Sequence, residues 1–464
     1  MKNAKSLPTK VLYSFVRIVA VAMICAASAA NAQTTQKVLH DFAGTDGGSP
    51  VGNLISDSAG NLYGAAGQGG EQNTSGCNPD YPVESHCGTV FQITKSQSGW
   101  TTNVLHEFTG GSDGGNPGAG LVFDSAGNLY GTTQFGGDCA YAYGCGVVYE
   151  LSPTTGGEWT ESVLYSFQCG NDGCSPESQL VFDSSGNLYG TTLGGGNGSC
   201  GLGVPCGVVF ELSPSAGGTW TETVLYDFQG FSDGESPTGP LVFDSKGNLY
   251  GTTAFGGSAD DLCGYPFYGC GTVFELSPNS SGGWNKSTIY TFNAGIGGAF
   301  AAGGVIVDGA GTLYGAATAG GVRQFCGYSV TGCGVIFALK QNSNGIWSES
   351  VLLTFQPGGA GGQLPHGGLT LDAAGNLYGT AYMGATSKSG KGAGVVFELS
   401  PGSNKTWHET VLYTFPGSGT KGSDPVSSPI LDSAGNLFGT TSFGGTLTYT
   451  YCDGTCGVVY ELTP

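Results

Sequence analysis

Short apolar runs return along the chain at intervals of roughly 60 residues. One has the form Leu-Val-Phe-Asp, at 121–124, 180–183 and 241–244, and leads into Asp-x-x-Gly-(Asn/Thr)-Leu-(Tyr/Phe)-Gly. That turn motif begins at Asp57, Asp124, Asp183, Asp244, Asp308, Asp372 and Asp432. A second run, typified by Cys-Gly-Val-Val-Tyr-Glu-Leu-Ser-Pro, follows at 87–93, 145–153, 206–214, 270–278, 333–339, 394–401 and 456–464. A Trp-led run comes next, as at 159–167 and 407–415. The runs are rich in Val, Phe, Tyr and Thr and are bounded by Gly, Pro, Asn and Ser. Beyond the N-terminal leader no stretch sustains a 3.6-residue apolar period, so the pattern predicts strands.

Each repeat therefore holds four strands: A (Leu-Val-Phe-Asp), B (Asn-Leu-Tyr-Gly-Thr-Thr), C (Gly-Val-Val-Tyr-Glu-Leu-Ser-Pro) and D (Trp-led). Four antiparallel strands per repeat predict an all-β fold, a β-propeller. The seventh repeat stops after strand C at 460–464, while residues 37–42 match the end of a strand D and have no strands before them. If this N-terminal strand completes the last blade, seven four-stranded blades close into a ring with no open edges. An eight-bladed or open array is the alternative. Residues 33–464 are expected to form one propeller domain.

Residues 1–32 read as a signal peptide. Lys2, Lys5, Lys10 and Arg17 precede an apolar run, and Ala30-Asn31-Ala32 is a small-x-small cleavage site. The run is too short for a comfortable span, no later stretch approaches ~20 apolar residues, and no lipoprotein box precedes Cys25. Export is expected, to the periplasm, the cell surface or the medium.

Composition narrows this further. Glycine numbers 87, yet 39% of residues are hydrophobic, 11% aromatic and only 10% charged, which fits a folded chain with turn glycines rather than disorder. No Gly-X-Y period indicates collagen. Without the four basic residues of the leader, 10 Lys and Arg stand against 34 acids, near −24. That balance excludes binding nucleic acid or anionic lipid through a basic patch. The 14 cysteines beyond the leader fall into close pairs: Cys77/Cys87, Cys139/Cys145, Cys169/Cys174, Cys200/Cys206, Cys263/Cys270, Cys326/Cys333 and Cys452/Cys456. They predict seven local disulfides. A zinc site would need Cys-x-x-Cys spacing or clustered histidines, and the five histidines do not cluster with them.

At these motifs the chain resembles the GloVer tandem-repeat family of exported bacterial proteins, whose repeats carry Gly-Asn-Leu-Tyr-Gly-Thr-Thr and Gly-Val-Val-Phe-Glu-Leu-Ser/Thr-Pro. The resemblance spans nearly all of residues 36–464 and implies export and repeat architecture, with no established reaction. Family members often continue into a surface anchor, whereas this sequence ends on a repeat strand. A looser likeness is to NHL-type propellers.

The recurring chemistry reads mostly as architecture. The seven turn aspartates could ring a cation, but a residue present in every blade serves the blade, and an Asp before a Gly turn accepts from the turn's backbone. The same holds for Tyr63, Tyr130, Tyr189, Tyr250, Tyr314, Tyr378 and Phe438, and for Trp100, Trp159, Trp220, Trp284, Trp347 and Trp407, read as packing between blades. Ser112 and Ser232 sit in Gly-x-Ser-x-Gly sequences, but no helix pattern follows and no histidine recurs beside them, so they are not read as nucleophiles. His40 and His106 are placed in strand D at the position of Ser166, Asp227 or Thr291.

Strand direction puts the B–C and D–A loops on one face. There the repeats differ, with aromatic residues inside cysteine-clamped loops. The candidate ligand residues are Tyr141, Tyr143, Tyr265, Phe267, Tyr268, Tyr328 and Arg323, with Asp46, Asp113, Asp172 and Asp233 of the Asp-Gly-x-x-Pro loops. The expectation is a monomeric, non-catalytic binding module for an extracellular glycan or protein. No cofactor is expected, and a Ca2+ ion is the one left open. The alternatives are a propeller enzyme of lactonase or polysaccharide-lyase type with a channel cation, or a purely structural extracellular protein.

Overall fold

The computed structural model describes residues 34–464 except 71–76, 78–85, 98, 142, 201–205, 258–262, 264–268, 327–329, 385–392, 418, 447–451 and 453–454. The expected signal peptide lies outside the described residues. Seven antiparallel sheets form the blades of a β-propeller. Blade 5 shows the plan: A (Val305–Val307), B (Leu313–Ala317), C (Val335–Gln341) and D (Trp347–Thr354) pair in that order. In blade 7, strand C (Val458–Thr463) pairs with Thr35–Asp41, so the N-terminal strand supplies strand D as expected. Among the described residues, no helix is long and apolar enough to cross a membrane.

The repeated aspartate holds the A–B turn. Asp124 Oδ1 accepts from the backbone N–H of Ala126 (2.8 Å) and Asn128 (2.9 Å), while Oδ2 accepts from Asn128 Nδ2 (2.9 Å) and the Tyr130 hydroxyl (3.2 Å). Burial pushes Asp183 up, but hydrogen bonds from Asn187, Ser185 and Tyr189 outweigh it and hold the carboxyl below its usual range. The tyrosine ring then packs against the following blade: Tyr130 meets Phe182 edge-on at 5.1 Å and Trp220 at 6.3 Å.

A second repeated contact lies deeper. The last residue of each D run is a buried phenylalanine that meets the strand C aromatic of the next blade edge-on. Phe167–Phe210 (5.2 Å), Phe108–Tyr149 (5.0 Å) and Phe42–Phe91 (5.1 Å) are three of seven such pairs. The strand C ring lies over the strand B glycine of its own blade. A Cβ on Gly131 would stand 2.3 Å from the Tyr149 hydroxyl, and one on Gly190 would stand 2.6 Å from Phe210. The Leu-Tyr-Gly motif needs its glycine for this close approach.

Blades are also joined through backbone. The residue before each loop proline, or its equivalent, has φ between +48° and +60°: Ser49, Asn116, Ser175, Ser236, Phe300, Leu364 and Asp424. Its N–H donates to the second-cysteine carbonyl of the preceding blade, as in Asn116 to Cys87 (2.7 Å) and Ser175 to Cys145 (2.9 Å), or to Ala393 in its place in blade 6. The following proline seats against the glycine after that cysteine. Gly146, at φ +87°, leaves no room for a Cβ between Thr133 O (2.3 Å) and Pro176 Cδ (2.6 Å).

Three features depart from the sequence reading. Strand A is short in most blades, only Val122–Phe123 in blade 2, because the chain bulges toward the axis just before it. In blade 1, Val51 pairs with Ala65 and the next paired residue is Ile55, so residues 52–54 bulge, with Gly52 and Asn53 at the channel and Leu54 in the core. Blade 5 carries an additional hairpin, Gly320–Cys326 with Val330–Gly332, within its B–C loop. Finally, His40 and His106 do not occupy the position of Ser166. His40 pairs with Val459 just as Tyr165 pairs with Val148, so the histidines replace the strand D tyrosine. Both runs bulge at the same leucine, and aligning Val-Leu-His-Asp-Phe (38–42) with Val-Leu-Tyr-Ser-Phe (163–167) gives the same match of His40 with Tyr165.

All seven expected disulfides are present, each local: Cys77–Cys87, Cys139–Cys145, Cys169–Cys174, Cys200–Cys206, Cys263–Cys270, Cys326–Cys333 and Cys452–Cys456.

Gly127 also has positive φ but open space around it, so Gly127→Ala is expected to cost about 1–2 kcal/mol in chemical unfolding. Gly146→Ala adds two collisions and is expected to cost about 3–4 kcal/mol. Because the turn is architectural, Asp124→Ala, Asp183→Ala and Asp244→Ala should each lower stability by a similar ~1–2 kcal/mol. Non-reducing peptide mapping should return the seven local links, and a Cys139 or Cys145 link to another blade would contradict the structure.

Candidate functional site

The variable loops stand on the face where the B–C and D–A connections gather. In blade 2, the Cys139–Cys145 bridge closes a short turn in which Gly144 N–H donates to Tyr141 O (3.0 Å), and Gly136 N–H donates to Tyr143 O (2.8 Å). This holds the two tyrosines over the end of strand B (Leu129–Phe135). Tyr141 is 63% exposed. With Phe135 and with Phe255 of blade 4, they wall a cleft of about 790 Å³ spanning blades 2 to 4. The Cys169–Cys174 bridge, Leu193 and Ser236 complete it.

The loop aspartates behave differently from the tyrosines. Asp172 accepts from the Gln168 backbone N–H (2.8 Å) and the Tyr165 hydroxyl (3.1 Å), and Asp233 accepts from Gln229 N–H (2.9 Å) and the Tyr226 hydroxyl (2.8 Å). In blades 1 and 2 a histidine takes the tyrosine's place: His40 Nε2 lies 2.9 Å from Asp46, and His106 Nε2 lies 3.6 Å from Asp113. Burial pushes Asp113 up, but the nearby His106 and hydrogen bonds from Thr109 more than offset it, leaving the carboxyl below its usual range. Asp233 also pairs with the buried Lys286 ammonium at 2.5 Å. These carboxylates tie each D–A loop to strand D. The structure brings Tyr141 and Tyr143 together in the cleft, with the four aspartates in the loops along its face.

Tyr265, Phe267, Tyr268 and Tyr328 lie outside the described residues. Arg323 is in strand Gly320–Cys326, its side chain also outside the described part.

The bulges before strand A add what sequence reasoning missed. From every blade they line a central cavity of about 390 Å³. The residue following the loop proline, or its equivalent, differs between blades: Val51, Gly118, Glu177, Thr238, Ala302, His366 and Val426. Among the described residues, Glu177 and His366 are the ionisable groups of this wall. Burial pushes the Glu177 carboxyl up to about 7. His366 is exposed, but to the cavity: enough protein surrounds it that burial holds the imidazole below its usual range. Leu193 and Phe255 belong to both the cleft and the cavity, so the two adjoin. The column after the proline, compared across repeats, was the signal that could have revealed these residues.

Metal-ligating atoms converge in two places among the described residues, Cys145/Cys169/Cys174 and Cys200/Cys206/Glu235. The sulfurs there are tied in disulfides and offer no thiolate.

Among solved structures, similar chains include a fungal alcohol oxidase of the AA5 family in complex with copper (TM-score 0.49, 12% identity, covering 93% of this chain and 76% of that one). A putative oxidoreductase (glucose dehydrogenase) from Thermus thermophilus follows at TM-score 0.40 and 14% identity, covering 93% and 100%. The extracellular domain of a putative one-component system from B. thetaiotaomicron gives 0.46 and 9%, covering 92% and 42%. Likeness at this level carries no argument about activity. No curated protein matches the chain significantly. The model of the Gloeobacter/Verrucomicrobia repeat matches residues 81–327 and 264–452, together most of the propeller. With its repeat turns, blade joints and ring now described, the chain belongs to the Gloeobacter/Verrucomicrobia repeat family.

Proposed function

We propose that this protein is an exported, non-catalytic propeller that binds a glycan through the loop face. The observation that carries this reading is the cleft over blades 2 to 4, where Phe135, Tyr141, Tyr143 and Phe255 offer aromatic surface to a ligand. Sugar rings present apolar C–H faces that stack on such side chains, while their hydroxyls remain hydrogen-bonded at the rim. Two disulfides stiffen the cleft, so little ordering is required on binding. Seven disulfides fit assembly in an oxidising compartment, and the basic-apolar leader of residues 1–32 supports export. An extracellular protein is the second reading. It is favoured by Phe231 (66% exposed) and Ile296 (76% exposed), apolar side chains on the D–A loops of the same face.

A glycan-array screen of residues 33–464, with and without calcium, tests the proposal. Saturable binding is expected, weakened about tenfold by each of Tyr141→Ala and Tyr143→Ala. Absence of binding to any glycan would overturn it in favour of a protein ligand or a structural role.

A further inference from the structure

The aromatic cleft and the channel cavity share Leu193 and Phe255 in their walls. Three side chains of the cavity wall have polar groups that the protein leaves unsatisfied. Thr238 Oγ1 is buried without a hydrogen-bond partner. Glu177 and His366 make no side-chain hydrogen bond or ion pair among the described residues. All three occupy the same position in their blades, immediately after the loop proline in blades 3, 4 and 6. Neighbouring amides of the wall are used structurally: Asn53 Oδ1 accepts from Ser428 N–H (2.8 Å), and Gln179 Nε2 donates to Leu121 O (2.7 Å). The buried Thr238 Oγ1 is costly unless something pairs with it, while the half-buried Glu177 and the exposed His366 offer their polar groups to whatever enters the cavity.

The charge of the site restricts what that ligand is. Among the described residues no Lys or Arg lines the cavity, and the chain beyond the leader is strongly acidic. An anionic sugar would enter against that field with no cation to receive it. We propose that Glu177, Thr238 and His366 form a subsite for the uncharged, hydroxyl-bearing end of a glycan chain whose adjoining residues lie in the aromatic cleft. This subsite rests on the glycan reading of the cleft. Glu177 in its protonated form donates to a sugar hydroxyl, the neutral His366 ring accepts from another, and Thr238 does either.

The surroundings of the two titrating groups fix the pH dependence. Gly118 of blade 2 approaches the Glu177 backbone, with the uncharged Gln134 beside that glycine, and among the described residues the only other ionisable group on the cavity wall is His366. Beside His366 stands Tyr382, with ring centroids 6.4 Å apart; the charge of Asp424, whose own carboxyl burial raises to about 6, reaches Tyr382. Ionising Glu177 leaves a desolvated carboxylate beneath the ligand, so affinity is expected to fall as pH rises through about 7.

The test is calorimetric titration of the protein with neutral hexose hexasaccharides and with uronic-acid hexasaccharides, between about pH 5.5 and pH 8.5. Neutral chains are expected to bind, with affinity falling about tenfold per unit above pH 7 for one linked proton. Glu177→Gln should keep the low-pH affinity throughout, with a wild-type thermal midpoint at low pH as the folding control. Thr238→Val and His366→Ala should each weaken binding about tenfold. A Glu177→Gln protein whose affinity tracks pH as the wild type does, or a preference for uronic acids, overturns the subsite. If Tyr141→Ala still weakens binding about tenfold in that case, the cleft reading survives without it. If neither sugar class binds, both readings fail.

Discussion

The ring depends on one repeated contact, the edge-to-face meeting of a strand D phenylalanine with the strand C aromatic of the next blade. Seven such pairs run around the molecule, from Phe42–Phe91 to Phe415–Tyr460. Each pair needs the strand B glycine beneath the ring, and this explains why Leu-Tyr-Gly tolerates so little variation between repeats. The contact is apolar and fully buried, so it supplies cohesion. Orientation comes from the backbone bond between the left-handed residue of one blade and the carbonyl at the end of the preceding B–C loop.

That joint is independent of the disulfide beside it. In blade 6 Ala393 stands where other blades have cysteine, and Asp424 N–H still donates to its carbonyl at 2.9 Å. The cysteines therefore brace the variable loops, whereas packing and backbone bonds fix the blades. With the frame held by atoms common to every repeat, the bulge residues near the axis are free to differ. Glu177, Thr238 and His366 are such differences on an otherwise symmetric backbone.

The strands, their order, the ring closure and the local disulfides were legible in the sequence, because a sixty-residue period repeats each signal several times over. The turn aspartates read correctly for the same reason. Tyr141 and Tyr143 were legible as loop aromatics, although Phe135 and Phe255 were not, since strand B ends look alike until the cleft is formed. The channel wall was hidden for a different reason. Its members are far apart in sequence, and the bulge that turns them inward is a register effect that no local propensity marks. His40 and His106 differ in kind: the sequence itself aligns Val-Leu-His with Val-Leu-Tyr of the other strand D runs, so their position was legible there.

The pairing of Thr35–Asp41 with Val458–Thr463 also orders the assembly of the ring in time. If the polypeptide emerges from the membrane amino end first, its earliest strand waits with neither edge paired until nearly the whole chain has been translocated. Six blades can build in succession from neighbouring strands, whereas the last requires the slowest loop closure the chain permits. During that interval the waiting strand is the segment open to proteases and to mispairing with other chains. Its Lys37 and Asp41, charged residues within an otherwise adhesive segment, are well placed to discourage the latter.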